Sequence, residues 1–116
     1  MTNFPDGYTV PFFIAPVHGI HDGMRGRRRP FARLELRSVH KRIANAKTDS
    51  EVDAIQSAEL LAKVAEWSLP EPVTAETIAA LEYNLFERLS GIVLHAAPSD
   101  VDPDASDKER DPLRIV

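Results

Sequence analysis

Hydrophobic residues between positions 31 and 47 recur at helical spacing. One face of a helix is formed by residues four and three apart, namely Ala32, Leu36, Val39, Ile43 and Ala46. A strand is the alternative, because Ala32, Leu34 and Leu36 alternate with charged residues. The alternation is much shorter than the helical series, and the segment is rich in strong helix formers. The pattern therefore favours a first helix that begins near Ala32.

A second helix is predicted from Ser50, as its N-cap, to about Trp67. One apolar stripe on it is formed by Leu60, Val64 and Trp67. An adjoining alanine-rich stripe indicates close packing on more than one side; it comprises Ala54, Ala58, Leu61 and Ala65. The prolines within residues 68–72 end this helix, because a residue before proline avoids the helical region.

Two shorter helices are predicted after these prolines. Thr74 is the expected N-cap of the third, and Ile78 and Leu81 face the core. Asn84 and Glu87 have the spacing of a capping box, so a fourth helix is expected to start there. Its apolar side is formed by Leu85, Phe86, Leu89, Ile92 and Val93.

The two ends of the chain differ from this helical middle. Short β-prone runs near the N-terminus are interrupted by prolines, and the turn signal at residues 21–23 precedes a returning strand from Met24 to Arg29. Residues 97–116 are acidic and lack aromatic residues, which is typical of a mobile tail. We therefore predict a mainly α fold of three to four helices, with an N-terminal β-hairpin or extended arm (1–30), a helical core (31–96) and a flexible acidic tail (97–116).

Composition is consistent with one small domain, for which the cytoplasm is the default location. The chain has 116 residues, of which 43% are hydrophobic, and no cysteine, which excludes disulfides and cysteine-based zinc sites. No apolar run approaches the roughly 18 residues that a membrane-spanning helix needs, and no secretory signal is evident.

Charge is distributed unevenly along the chain, although the net charge is only −4. Residues 25–47 carry nine basic side chains and one acid, whereas residues 48–96 carry nine acids and two basic side chains. A basic block of this kind can bind nucleic acid, or the basic and acidic parts of the fold can attract each other. The basic excess of one part nearly cancels the acidic excess of the other, which favours the second interpretation. The densest cluster is Arg25–Arg29, in which Arg27, Arg28 and Arg29 are the candidate phosphate-binding residues.

Catalytic and metal-binding motifs are not evident. His18 and His21 lie near Pro16 and flank Gly19, and no third ligand stands at motif spacing. Asp100, Asp102 and Asp104 have the spacing of a calcium loop, but its obligatory glycine position holds Ala105. No serine lies in a nucleophile elbow, and the glycines form no phosphate-binding loop. We therefore expect no enzymatic activity, no metal and no cofactor.

Three stretches in this order resemble the tail assembly chaperones of long-tailed bacteriophages and related small proteins of prophage tail gene clusters. The first stretch comprises residues 6–8, 13–16 and 21–23, the second 65–67 and 70–76, and the third 85–89, 92–93 and 98–103. Together they span most of residues 6–104. The Arg25–Arg29 cluster is more basic than this resemblance implies.

The resemblance implies a non-enzymatic adaptor that binds a helical tail protein of the tape measure type. Trp67 and Phe86 are then the candidate anchors for the partner, with core packing as the alternative role of each. Two other functions stay open, a small nucleic-acid-binding regulator that uses Arg25–Arg29 and a structural tail or connector component. A homo-oligomer is also compatible with the sequence.

Overall fold

The computed structural model describes residues 7–103. In chain order their elements are β1 (Val10–Ile14), β2 (Met24–Arg28), α1 (Arg33–Asn45), α2 (Asp49–Lys63), β3 (Val64–Trp67), α3 (Ala75–Ala79) and α4 (Tyr83–Leu94). The three strands form one antiparallel sheet in the order β1-β2-β3. The prediction of a mainly α fold is therefore wrong, because the described residues form an α+β domain.

The N-terminal hairpin is part of this sheet, with β2 as the central strand. Phe12 pairs with Gly26 across the hairpin, and Arg27 pairs with Glu66 on the other side. The turn signal lies at the end of a nine-residue connection, where Gly23 has a φ of +77°. A Cβ atom at Gly23 would lie 2.4 Å from the carbonyl oxygen of Ile14, so the return of the chain into β2 requires glycine.

The residues predicted to form the last turn of the second helix form a strand instead. Helix α2 ends at Lys63, and Val64–Trp67 pairs with β2. Val64 and Trp67 lie four and seven residues after Leu60, so they fit a helical stripe. The same segment, Val-Ala-Glu-Trp, also fits a short strand whose first residue is buried and whose Glu66 is exposed. Its pairing with β2 determines the outcome, and that partner is remote in sequence.

The core lies between the sheet and the helices. Its buried side chains are Phe12, Ile14, Met24, Val39, Leu60, Val64, Ile78, Leu85, Phe86, Leu89, Ile92, Val93 and Leu94. Helix α4 supplies the largest share, whereas Val39 is the one fully buried residue of α1. Helix α1 therefore lies at the periphery of the domain and leaves most of its surface to solvent.

The helix starts agree with the predictions only in part. Thr74 caps α3 as expected, since its hydroxyl accepts a hydrogen bond from the Thr77 N–H. The N-cap of α2 is Thr48 and not Ser50. Helix α4 is capped by Glu82 and not by Asn84, because the Glu82 carboxylate accepts from the N–H groups of Asn84 and Leu85. These bonds, the one from Asn84 first, lower the pKa of Glu82.

The chain after α4 runs back along the edge of β1. Asp100 N–H donates to the carbonyl oxygen of Phe13, whose own N–H donates to the Ser99 hydroxyl. Arg88 donates to the Pro98 carbonyl oxygen and to the Asp100 carboxylate. The first part of the predicted flexible tail is therefore hydrogen-bonded to the sheet, and its remainder, residues 104–116, lies outside the described residues.

Candidate functional site

The arginines of the Arg25–Arg29 cluster bind neighbouring segments of the chain. Arg27 donates to the hydroxyl and the carbonyl oxygen of Thr9, at 2.7 and 3.2 Å. Arg29 donates to the carbonyl oxygen of Ala62 at 3.3 Å, and Arg28 also has an interaction within the fold. Arg25 forms an ion pair with Asp102 at 2.9 Å. These contacts tie β2 to its surroundings; the contact of Arg25 is an ion pair, whereas those of Arg27 and Arg29 are with neutral oxygens.

The two candidate aromatic anchors have different positions. Phe86 is only 8% exposed and belongs to the core. Trp67 is half-buried, packs against the core, and donates from Nε1 to the carbonyl oxygen of Glu71 at 2.7 Å. Trp67 pairs with Gly26, so its side chain lies on the opposite face of the sheet from Arg27. The structure does not bring the predicted arginines and aromatic residues together into one surface.

A basic surface instead lies on α1. Arg33, Arg37 and Lys41 are exposed and follow one another at intervals of four residues, so they lie in a row along the helix. Within residues 7–103 none of the three side chains forms a hydrogen bond or an ion pair. Leu34, 71% exposed, lies on the same side. We call these four residues the α1 basic face; its signal in the sequence was the four-residue spacing of the cations.

The acid nearest in sequence to this face is already used elsewhere. Glu35 accepts from Lys63 Nζ at 3.0 Å and from the N–H of Ala32 at 3.2 Å. The Lys63 ammonium also lies 4.5 Å from the centre of the Phe31 ring. Burial raises the pKa of Glu35, but the bonds from Lys63 and Ala32 outweigh burial and hold this pKa below its ordinary value. Glu35 therefore stays charged and bound to Lys63 at neutral pH.

Helix α2 presents an exposed face that is mostly apolar. Ala54, Ala58 and Leu61 are all exposed and are spaced four and three residues apart. Leu61 is 41% exposed. The outward face of a surface helix is ordinarily polar, whereas here the charged residue on the same side is Glu51, at the N-terminal end, three residues before Ala54. We call these three residues the α2 apolar face, which corresponds to most of the alanine-rich stripe in the sequence.

The histidines form one contact of note, between α1 and the end of α4. The rings of His40 and His95 are stacked, with centroids 5.1 Å apart and planes 8° from parallel. His40 Nε2 also donates to the carbonyl oxygen of Leu94. Burial, and next the neighbouring His40, lower the pKa of His95, while Glu87 opposes them.

The other candidate ligands make local contacts. His21 Nδ1 accepts from the Gly23 N–H at 3.0 Å, which occupies a potential ligand atom. Asp100 and Asp102 pair with Arg88 and Arg25, and Asp104 lies outside the described residues. Across residues 7–103, no group of three or more His, Asp or Glu side chains is placed to hold a metal ion.

Comparisons with known proteins identify no relative. No family model matches the chain, and neither the curated proteins nor the solved structures contain a significant match. In the part of the chain that the structure describes, no helix has the length and apolar character needed to cross a membrane. The resemblance to tail assembly chaperones thus stays a prediction.

Proposed function

We propose that this protein is a non-enzymatic adaptor that binds a helical segment of another protein. The α2 apolar face carries this proposal, because its three exposed apolar residues follow the spacing by which one helix recognises another. The resemblance adds the biological setting, a tail assembly chaperone in the cytoplasm of a bacterial host. Its partner would be a tail protein of the tape measure type.

The chemistry of the α2 apolar face suits a helical partner. Ala54 and Ala58 present only methyl groups, so a second helix can approach to the short end of the usual interaxial range, about 8–10 Å. Leu61 then supplies a larger side chain to bury against that helix. Burial of a leucine contributes about 1.5–3 kcal/mol when it is complete, which is enough to favour one register over another.

The test is affinity purification of the tagged full-length chain from its native host, with and without nuclease, followed by mass spectrometry. We expect a long, helix-rich protein to be recovered in both samples. Ala58→Glu places a charge at the centre of the apolar face and should abolish this recovery. Ala75→Glu is the matched control, because Ala75 is exposed in the first turn of α3, where a carboxylate is favourable.

The proposal fails if recovery is unchanged by Ala58→Glu, or if the partner is lost on nuclease treatment. A structural tail component would differ from a chaperone in one respect, since it would stay in purified particles. Mass spectrometry of the particles separates these two outcomes.

Nucleic-acid binding is the second candidate function, and it is favoured by the cations of the α1 basic face, whose side chains have no partner among the described residues. Two observations weigh against it. The arginines of the Arg25–Arg29 cluster have partners within the fold, and the chain as a whole carries a net charge of −4, which repels phosphate.

A further inference from the structure

The α1 basic face has a regular geometry. Residues four apart in a helix are about 6 Å apart along its axis, so Arg33, Arg37 and Lys41 span about 12 Å. Leu34 shares this side of the helix because it lies three residues before Arg37 and seven before Lys41. The face thus combines a row of three cations with one exposed leucine near its N-terminal end.

The positive charge of this face is not compensated among the described residues. Glu35, the single acid of α1, pairs with Lys63. Arg42, the remaining arginine of the helix, pairs with Glu59 at 3.3 Å. Both of these ion pairs connect α1 with α2, whereas Arg33, Arg37 and Lys41 contribute to neither. Glu35 and Arg42 therefore attach α1 to α2, whereas the cations of the α1 basic face stay exposed.

We propose that the α1 basic face binds an acidic amphipathic helix, with carboxylates four residues apart and an apolar residue that packs on Leu34. This inference rests on the proposed function, because it names the chemistry of the helical partner. A partner helix repeats its side chains with the same rise of about 6 Å for every four residues. Three carboxylates on it can therefore meet the three cations in register.

The spacing favours a protein helix over nucleic acid. Duplex DNA carries one charge for about every 1.7 Å of its axis. This spacing differs from the spacing of about 6 Å between successive cations of α1. Helix α1 also contains no Phe, Tyr or Trp on which a base could stack, and the ring of its His40 already stacks on His95. The net charge of −4 further disfavours a polyanion, whereas a short acidic helix needs only local complementarity.

The expected affinity is modest and depends on salt. Each exposed ion pair strengthens binding by roughly two- to fivefold, so three pairs and one leucine make a weak interface. Exposed pairs are screened when ionic strength rises, since the Debye length falls from about 10 Å at 0.1 M to about 3 Å at 1 M salt. Binding through this face should accordingly weaken steeply between these two conditions.

The test uses a fluorescein-labelled synthetic helical peptide with three glutamates four residues apart and one leucine on the same side. Its binding to the full chain is measured by fluorescence anisotropy. Arg37→Glu should weaken binding about tenfold. Lys47→Glu, the matched control, changes the net charge equally at an exposed position just beyond α1 and should change affinity less than twofold. Circular dichroism verifies that both variants are folded.

A peptide of the same composition with its glutamates spread around the helix should bind about tenfold more weakly. Equal binding of both peptides overturns the inference, as does equal binding by wild type and Arg37→Glu. Tighter, Arg37-dependent binding of a duplex DNA overturns it in favour of nucleic acid.

The pull-down from the host separates this inference from the proposed function. If Ala58→Glu loses the partner but Arg37→Glu retains it, the inference fails and the adaptor function stands. If wild type recovers no nuclease-resistant partner while the peptide results hold, the adaptor function fails and the specificity of the α1 basic face stands.

Discussion

The carboxylate of Asp100 accepts a hydrogen bond from the backbone N–H of Ala15 at 2.9 Å, although 85 residues separate them. The N–H of Phe13 is bound in a similar way by the Ser99 hydroxyl at 2.6 Å. Strand β1 is an edge strand of the sheet, and the backbone groups of an exposed edge strand can pair with a strand of another chain. The side chains of Ser99 and Asp100 thus accept hydrogen bonds from backbone N–H groups at this edge that would otherwise be unpaired.

Replacement of Asp100 by asparagine should destabilise the domain. The substitution removes the charge that Arg88 and the Ala15 N–H share. We expect the free energy of unfolding to fall by about 1 kcal/mol, which is less than the roughly 1.5–3 kcal/mol of a buried charged hydrogen bond, because the carboxylate is partly exposed and screened by solvent. Urea unfolding at pH 7 measures this difference, with Asp22→Asn, an exposed aspartate of the β1–β2 loop, as the control.

The effect of Asp100 should also depend on pH. The hydrogen bond from Ala15, and next the contact with Arg88, lower the pKa of Asp100 below the ordinary 3.8. The carboxylate therefore contributes to the free energy of unfolding above pH 3.8, and this contribution is lost as pH falls below 3.8 through the lowered pKa. The stability difference between wild type and Asp100→Asn should therefore shrink in this range, and a difference that is constant from pH 7 to pH 2 would contradict this assignment.

Gly26 should tolerate no side chain, although it lies in a cluster of arginines. A Cβ atom there would lie 2.3 Å from the carbonyl oxygen of Glu66 and 2.8 Å from Cζ of Phe12. We expect Gly26→Ala to lower the free energy of unfolding by about 2 kcal/mol or more, because backbone and a buried ring must shift. Thermal or urea unfolding provides the measurement.

Gly91→Ala is the matched control for Gly26→Ala. Gly91 lies within α4, and a Cβ atom there would meet only the Cβ of Ala97, at 3.5 Å. Alanine is favoured over glycine in a helix interior by about 0.8–1 kcal/mol, so this variant should be more stable than wild type. Equal destabilisation by the two substitutions would mean that the sheet does not pack on Gly26 as closely as described.

Local sequence signals predicted the elements whose stabilising contacts lie within a few residues. The four- and three-residue steps around Val39 predicted α1, and the hydroxyl of Thr74 predicted the start of α3. Strand β3 was missed because Val64–Trp67 fits both periodicities and only its pairing with β2 distinguishes them.

The candidate site was predicted less well than the helices, for the same reason. Strand β2 contains a dense arginine cluster, but the atoms that bind Arg27 and Arg29 come from Thr9 and Ala62, which no local pattern reveals. The α1 basic face was not predicted, although the four-residue spacing of its cations is present in the sequence. The exposure of this face could not be predicted from the sequence, because that exposure depends on the peripheral position of α1 in the fold.

Ser90 should be more favourable as alanine. It lies in α4, is 2% exposed, and its hydroxyl has no hydrogen-bond partner within the described residues. Alanine removes the unsatisfied hydroxyl and has the higher helix propensity, so Ser90→Ala should raise the free energy of unfolding by about 1 kcal/mol.

The control is Ser38→Ala, at an exposed site of α1. Because only the helix propensity changes there, the free energy of unfolding should rise by about 0.5 kcal/mol or less. A loss of stability in Ser90→Ala would show that the hydroxyl is bonded.

The stacked pair of His40 and His95 should make stability depend on pH near neutrality. Burial first, and then His40, lower the pKa of His95 below its ordinary 6.5, so the unfolded chain binds a proton more readily than the folded one. The contribution of His95 is therefore present above pH 6.5 and is lost as pH falls through the lowered pKa. We expect the unfolding temperature of wild type to fall only slightly between pH 7 and pH 5, because His95 is exposed and solvent screens the effect. His95→Gln removes the titrating group and should flatten this slope, whereas His18→Gln, on the exposed β1–β2 loop, should leave it unchanged. An equal slope in wild type and His95→Gln would place the pH dependence elsewhere in the chain.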